Sequence, residues 1–191
     1  PNLERHIKNI KKFGLDPIVA INHFITDTDK EVQLIKEECA KLGAKVSLCK
    51  HWSEGGEGTK ELANQVVDIC KKNNKKNFKY LYDDEKSIVE KIETVAKEIY
   101  GASGIEIDEA AKNQIKAIES QGFKKFPICI AKTQYSFSTD PKLKGAPSGH
   151  VLQIREVKLS SGAQFVVVIC GSIMTMPGLP KVPAANSIRL N

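Results

Sequence analysis

Pro17-Ile-Val-Ala-Ile-Asn22 and Lys45-Val-Ser-Leu-Cys49 decide the fold class. Each is a short apolar run between polar or turn-forming residues, too brief for a helix, and predicts a buried strand. Between them, Asp27-Thr-Asp-Lys-Glu31 offers an N-cap and first-turn acids, and Val32, Leu34, Ile35, Cys39 and Leu42 recur at helical spacing up to Gly43. Upstream, Leu3, Ile7, Ile10 and Phe13 predict a helix stopped by Gly14, and downstream Leu62, Val66, Ile69 and Cys70 predict another. Helix, strand, helix, strand and helix with short connections imply a parallel pair with a right-handed crossover. The loops His23 to Thr28 and Lys50 to Gly58 then lie side by side at the strands' C-terminal edge, where open α/β sheets bind ligands.

Working outward, Lys71 to Lys79 reads as a polar connector. Helices are predicted over Ser87 to Tyr100, ended by Gly101, and over Asp108 to Gln121, ended by Gly122. Pro127 to Ala131, His150 to Ile154, Val157 to Leu159 and Phe165 to Ile169 are strand-like. The polar loop Thr133 to Gly149 and the Pro/Gly-rich tail Met174 to Pro183 are long enough to be functional or disordered. The expected class is α/β, in a three-layer-like arrangement. A parallel βαβ half over 1–75 and a helix-plus-mixed-strand half over 76–191 share one body.

Composition narrows the function classes. The chain has 191 residues, 29 Lys and Arg against 23 Asp and Glu, net charge +6, with 41% hydrophobic and 27% charged residues. These are ordinary values for a globular domain and exclude a disordered tail or a coiled-coil rod. The longest apolar run, Phe165 to Cys170, is far short of the ~20 residues that span a bilayer, so no membrane partner is expected. No secretory leader is evident, and the expected compartment is cytoplasmic.

The basic residues are lysines apart from Arg5, Arg155 and Arg189, whereas bidentate recognition of phosphate and guanine favours arginine, so nucleic acid is not an expected partner. The cluster Lys71-Lys72-Asn73-Asn74-Lys75-Lys76 reads as the solvated end of a helix. Cys39, Cys49, Cys70, Cys129 and Cys170 form no CxxC pair and lack zinc-finger spacing to histidine. They read as reduced, small hydrophobic residues, with neither a metal site nor a catalytic thiol expected.

The chemically richest stretch is Cys49-Lys-His-Trp52-Ser-Glu-Gly-Gly-Glu-Gly58-Thr59. The single tryptophan sits outside any periodic apolar face, just after a strand and beside glycines. Two readings stand. With Phe24 on the neighbouring loop, Trp52 forms a two-sided clamp for a flat ring, or it caps a helix edge. The glycines could form an anion nest, but neither GxxxxGK[ST] nor GxGxxG spacing is present. His23 and His51 flank the aromatics and could bond a polar ligand edge, while His6 beside Arg5 and Lys8 reads as solvated. No GxSxG turn supports a hydrolase.

Six stretches carry a family resemblance: Asn2-Leu-Glu-Arg-His-Ile7, Ala20-Ile-Asn-His-Phe-Ile-Thr-Asp-Thr28, His51-Trp-Ser-Glu-Gly-Gly-Glu-Gly58, Lys91-Ile-Glu-Thr-Val-Ala-Lys-Glu-Ile-Tyr-Gly-Ala102, Ala131-Lys-Thr-Gln-Tyr-Ser136 and Met174-Thr-Met-Pro-Gly-Leu-Pro180. In this order they closely resemble formate–tetrahydrofolate ligase (formyltetrahydrofolate synthetase). Ile25 and Ser87 stand where the family often has proline, and Gln164 departs from a common Ser-x-Gly-Ala-Gly. The family's members are about three times longer and carry a P-loop in their N-terminal part. The chain therefore resembles the C-terminal third.

The resemblance implies an ATP-dependent ligase that makes 10-formyltetrahydrofolate from formate and tetrahydrofolate through formyl phosphate. ATP with Mg is then a substrate complex, and this part of the chain holds no tightly bound cofactor. By the same resemblance Phe24, Leu48 and Trp52 bind folate, and Pro177, Gly178, Leu179 and Pro180 line the nucleotide side. The catalytic residues are expected outside this chain, which alone would be inactive, its partners being the rest of the enzyme and further copies in a homo-oligomer. The competing readings are a stand-alone α/β module binding a flat heterocycle or nucleotide, and an interaction domain.

Overall fold

Residues 1–72, 77–173 and 181–189 are described by a computed structural model. Helix α1 (Asn2–Lys12) precedes β1 (Ile18–Asn22), and α2 (Asp29–Lys41) leads to β2 (Lys45–Cys49). The start of α2 is written in its sequence. Thr28 Oγ1 accepts from the Glu31 amide while the Glu31 carboxylate accepts from the Thr28 amide at 2.9 Å, a reciprocal capping box. Both bonds hold the Glu31 carboxyl below the usual carboxylate range. Strands β1 and β2 pair in parallel, Ile18 opposite Lys45 through Asn22 opposite Cys49. Ile7, Cys39 and Ala44 are the buried centre beneath them, with Val19, Ile35, Leu42 and Val46 packed around.

The segment Lys50 to Gly58, expected as a loop, is instead a compact helical turn. After β2 come α3 (His51–Glu54), a 3-10 turn (Gly55–Thr59) and α4 (Lys60–Lys72). The Lys50 carbonyl accepts from the Ser53 and Glu54 amides, and the Lys50 amide donates to the Gly58 carbonyl. Glycine is required at 58, because a Cβ there would stand 2.6 Å from the Lys50 carbonyl carbon.

The second sheet contains β3 (Gly104–Ile107), β4 (Ile128–Ala131), β5 (Val151–Ser160) and β6 (Phe165–Cys170), in the order β3-β5-β6-β4. The β5–β6 pair is antiparallel and the two outer pairs are parallel. Helices α5 (Ile88–Glu98) and α6 (Glu109–Ser120) pack on it through Ile88, Ile92, Ala96, Ala111, Ile115 and Ile118. Both stop short of the spans read from periodicity because Ser87 and Asp108 are caps rather than helical residues.

Three sequence readings change here. Gly104–Ile107 is a strand, too short beside Gly101 and Asp108 to register as a period. The segments His150 to Ile154 and Val157 to Leu159 are one strand, its alternation broken by a bulge between Ile154 and Glu156. Cys70 and Cys129 are exposed rather than core thiols, while Cys39, Cys49 and Cys170 are buried. The α/β class stands, with its strands divided between two sheets.

The loop 133–149 has no helix or strand but is well packed: Ser136, Phe137 and Ser138 are buried. Helix α1 joins the two sheets. Arg5 Nη1 donates to the Tyr100 and Pro147 carbonyls, both at 2.9 Å, Asn9 Nδ2 donates to Ile99 O at 2.9 Å, and Lys12 pairs with Glu98 at 3.0 Å.

Candidate functional site

The rim above the parallel pair is built by backbone register. Cys49 O accepts from the His23 amide at 3.0 Å, so the chain leaves both strands at the same height. After β1 it makes a tight turn, with the Asp27 amide donating to Phe24 O and Asp27 Oδ2 accepting from the Phe24 amide at 2.8 Å. After β2 it enters α3 at once. The indole Nε1–H of Trp52 donates to the His23 carbonyl at 2.6 Å. That bond ties the helix carrying Trp52 to the residue before Phe24.

Both rings remain largely in solvent, Phe24 55% and Trp52 54% exposed, and Ile25 beside them is 82% exposed. A large apolar side chain leaves more surface unburied at such a rim than stability favours, so an exposed aromatic cluster marks an interaction site. Leu48 is half-buried in the ladder, opposite Ile21. Phe24, Leu48 and Trp52 are thus brought to one end of one sheet. His51 lies on α3 and is exposed, and His23 is half-buried at the turn. Pro177, Gly178, Leu179 and Pro180 lie outside the described residues.

A second concavity was not singled out as a site from sequence. A groove of about 720 Å³ runs between α1 and the segment after β4, lined by His6, Ile10, Phe13, Tyr100, Lys132 and Tyr135 among others. Lys132 Nζ donates to the Thr133 carbonyl at 3.0 Å and to the Ser136 carbonyl, and lies 5.0 Å from the Tyr100 ring centre. Burial pulls the Lys132 amine below its usual range and pushes the Tyr100 phenol up to about 12. The ammonium is spent on its own loop and pins residues 132–136. A lysine directly after an apolar strand was the available signal, but its partners are carbonyls, which leave no side-chain pattern.

Among the described residues, no group of three or more His, Cys, Asp or Glu side chains is arranged to hold a metal ion. No helix among them is long and apolar enough to cross a membrane.

The family model described as formate–tetrahydrofolate ligase matches residues 1–191. The chain belongs to this family. Its relatives include the formate–tetrahydrofolate ligase of Pelagibacter ubique (strain HTCC1062), 61% identical over 190 residues, and that of Hyphomonas neptunium (strain ATCC 15444), 57% identical over 190 residues. The Ruegeria pomeroyi (strain ATCC 700808 / DSM 15171 / DSS-3) ligase is 53% identical over 190 residues. Each match covers 100% of this chain and 34% of the relative. The chain therefore spans about a third of the length of the curated ligases it matches. At this identity the backbone carrying Phe24, Leu48 and Trp52 is a family feature of the ligase rather than a local accident.

Proposed function

We propose that these residues are the folate-side, C-terminal domain of a formate–tetrahydrofolate ligase, with 1–75 carrying the rim and 76–191 the helical pair, mixed strands and tail. The observation that carries the reading is the Trp52 indole bonded to His23 O beside an exposed Phe24. A pterin is flat, and its ring edge carries donors and acceptors. Stacking on an indole removes apolar surface from water and restricts tumbling, so the amine that attacks the activated formyl group is held in one orientation. Bonding through Nε1 to backbone fixes the indole plane before ligand arrives, which reduces the ordering cost of binding.

In the whole enzyme the reaction is ATP, formate and tetrahydrofolate giving ADP, phosphate and 10-formyltetrahydrofolate. The tail segment Met174 to Pro180 is assigned to the nucleotide side on the family resemblance, and the phosphate-handling residues to the remaining two-thirds of the ligase. Magnesium, which accompanies ATP as substrate, finds no carboxylate cluster among the described residues, and no step is routed through it here.

The test is a calorimetric titration of full-length ligase with tetrahydrofolate. Trp52→Ala is expected to weaken binding by roughly tenfold, the order of one aromatic stacking contact, and Phe24→Ala by less. Unchanged affinity in Trp52→Ala, with the variant folded by circular dichroism, rejects the assignment.

A further inference from the structure

The β1–β2 sheet is incomplete. Parallel sheets occur with helices on both faces and several strands between them, and a lone pair of strands is marginal. Among the described residues β1 has a strand on one side only. Since the His23 amide donates to Cys49 O, alternation along β1 turns the backbone of Val19 and Ile21 toward β2 and that of Ile18, Ala20 and Asn22 away from it. Ala20 and Asn22 are exposed accordingly. The far side of β2 is better closed, because Gln65 Nε2 donates to Val46 O at 3.4 Å and the Lys50 amide reaches Gly58 O at 3.1 Å.

Handedness says what belongs on the open side. Helix α2 is the crossover from β1 to β2, and α1 leads into β1. Ile7 of α1 and Ile35, Cys39 and Leu42 of α2 meet the same pair, Val19 and Val46, so both helices cover one face of the sheet. Right-handed crossovers on one face all step in the same direction. If α2 carries the chain from β1 to β2, then α1 carries it to β1 from a strand on the opposite side, which is the open edge.

We propose that in full-length ligase the stretch directly upstream of α1 is a β-strand that pairs in parallel with β1 along Ile18, Ala20 and Asn22. The sheet then runs upstream strand, β1, β2, and the folate rim gains a third strand end beside His23. This rests on the reading of the chain as part of a longer ligase, which the 34% coverage of its relatives supports. A second copy is the competing occupant. Two β1 edges meeting about a two-fold axis would pair antiparallel and leave α1 without a strand to cross from.

The experiment uses ligand-free, full-length ligase. Amide hydrogen exchange is read at single residues across Ile18 to His23. The Ala20 and Asn22 amides are expected to exchange on the order of a hundredfold or more slower than the open chain, as Val19 and Ile21 do. Open-chain exchange at Ala20 and Asn22, with Val19 and Ile21 still protected, overturns the proposal.

A second arm identifies the occupant. Ala20→Cys is combined with single cysteines across about ten residues preceding α1, enough for a strand and a short connection. A short thiol cross-linker is then applied and the peptides mapped. A link within one polypeptide supports the proposal, whereas a link between two subunits, or none at any position, overturns it. Neither arm contains folate, so failure here leaves the Trp52 titration to decide the rim. A natural polypeptide no longer than this chain, read from its intact mass, would overturn both readings.

Discussion

Beneath β5 and β6, Ile88, Ile92, Ala111, Leu152, Ile154, Val166 and Val168 are sealed from solvent, whereas the β1–β2 pair rests on Ile7, Cys39 and Ala44. The four-stranded region is closed by its own helices. The two-stranded region borrows support, since the polar side of α1 is bonded to Ile99, Tyr100 and Pro147 of its neighbour. The aromatic rim is on the thinner region. Binding elements are drawn from the less stable parts of a molecule, where surface is left open for a ligand or another segment.

The comparison is most easily broken by deleting equivalent side chains from the two cores. Leu152 is wholly buried at the centre of β5, and Leu152→Ala is expected to cost about 3–4 kcal/mol in urea unfolding. Ile7→Ala, in the smaller cluster with a groove alongside it between α1 and α2, is expected to cost about 2 kcal/mol, since that site has room to collapse. Equal losses would mean that the two cores are equally dense.

Gly58→Ala sharpens the contrast at the rim. The added methyl would meet Lys50 and His51 backbone at 2.6–2.9 Å, costing about 2 kcal/mol and shifting α3. The expected sign is a red-shifted Trp52 emission, with the four-stranded sheet unaltered by hydrogen exchange. An unshifted spectrum would show that α3 tolerates the methyl.

The smallest effect should be equal in both regions, because each uses the same cap. Thr28→Ala and Ser87→Ala are each expected to lose about 1 kcal/mol. In both boxes the glutamate is held below its ordinary 4.5 by hydrogen bonds, to Thr28 for Glu31 and to Ser87 for Glu90. Their stabilisation is therefore complete above about 4.5 and is lost as pH falls through the depressed values. Acid unfolding of the two alanine variants should show a shallower dependence below that point. An unchanged slope would remove the boxes from the acid response.

How much could be read in advance follows the range of the interaction. The crossover from Pro17 to Cys49 was legible because apolar period, cap and glycine stop are local to each element. Phe24 and Trp52 were legible as a pair because strand ends in a parallel unit lie at one edge. The compact turn through His51 to Gly58 was not, since it depends on a backbone approach between Lys50 and Gly58. The strand Gly104–Ile107 was missed for the same kind of reason: four residues become a strand only by pairing with β5.

Sequence alone therefore determined the elements whose stabilising contacts lie within a few residues, the α/β class, and which aromatic side chains stand outside any apolar face. Tertiary structure decided how the strands divide into two sheets, which thiols are sealed, and that the Trp52 indole is bonded to His23. Those outcomes rest on hydrogen bonds and burial between residues far apart in the chain, whose free energy depends on the folded partner rather than on local pattern.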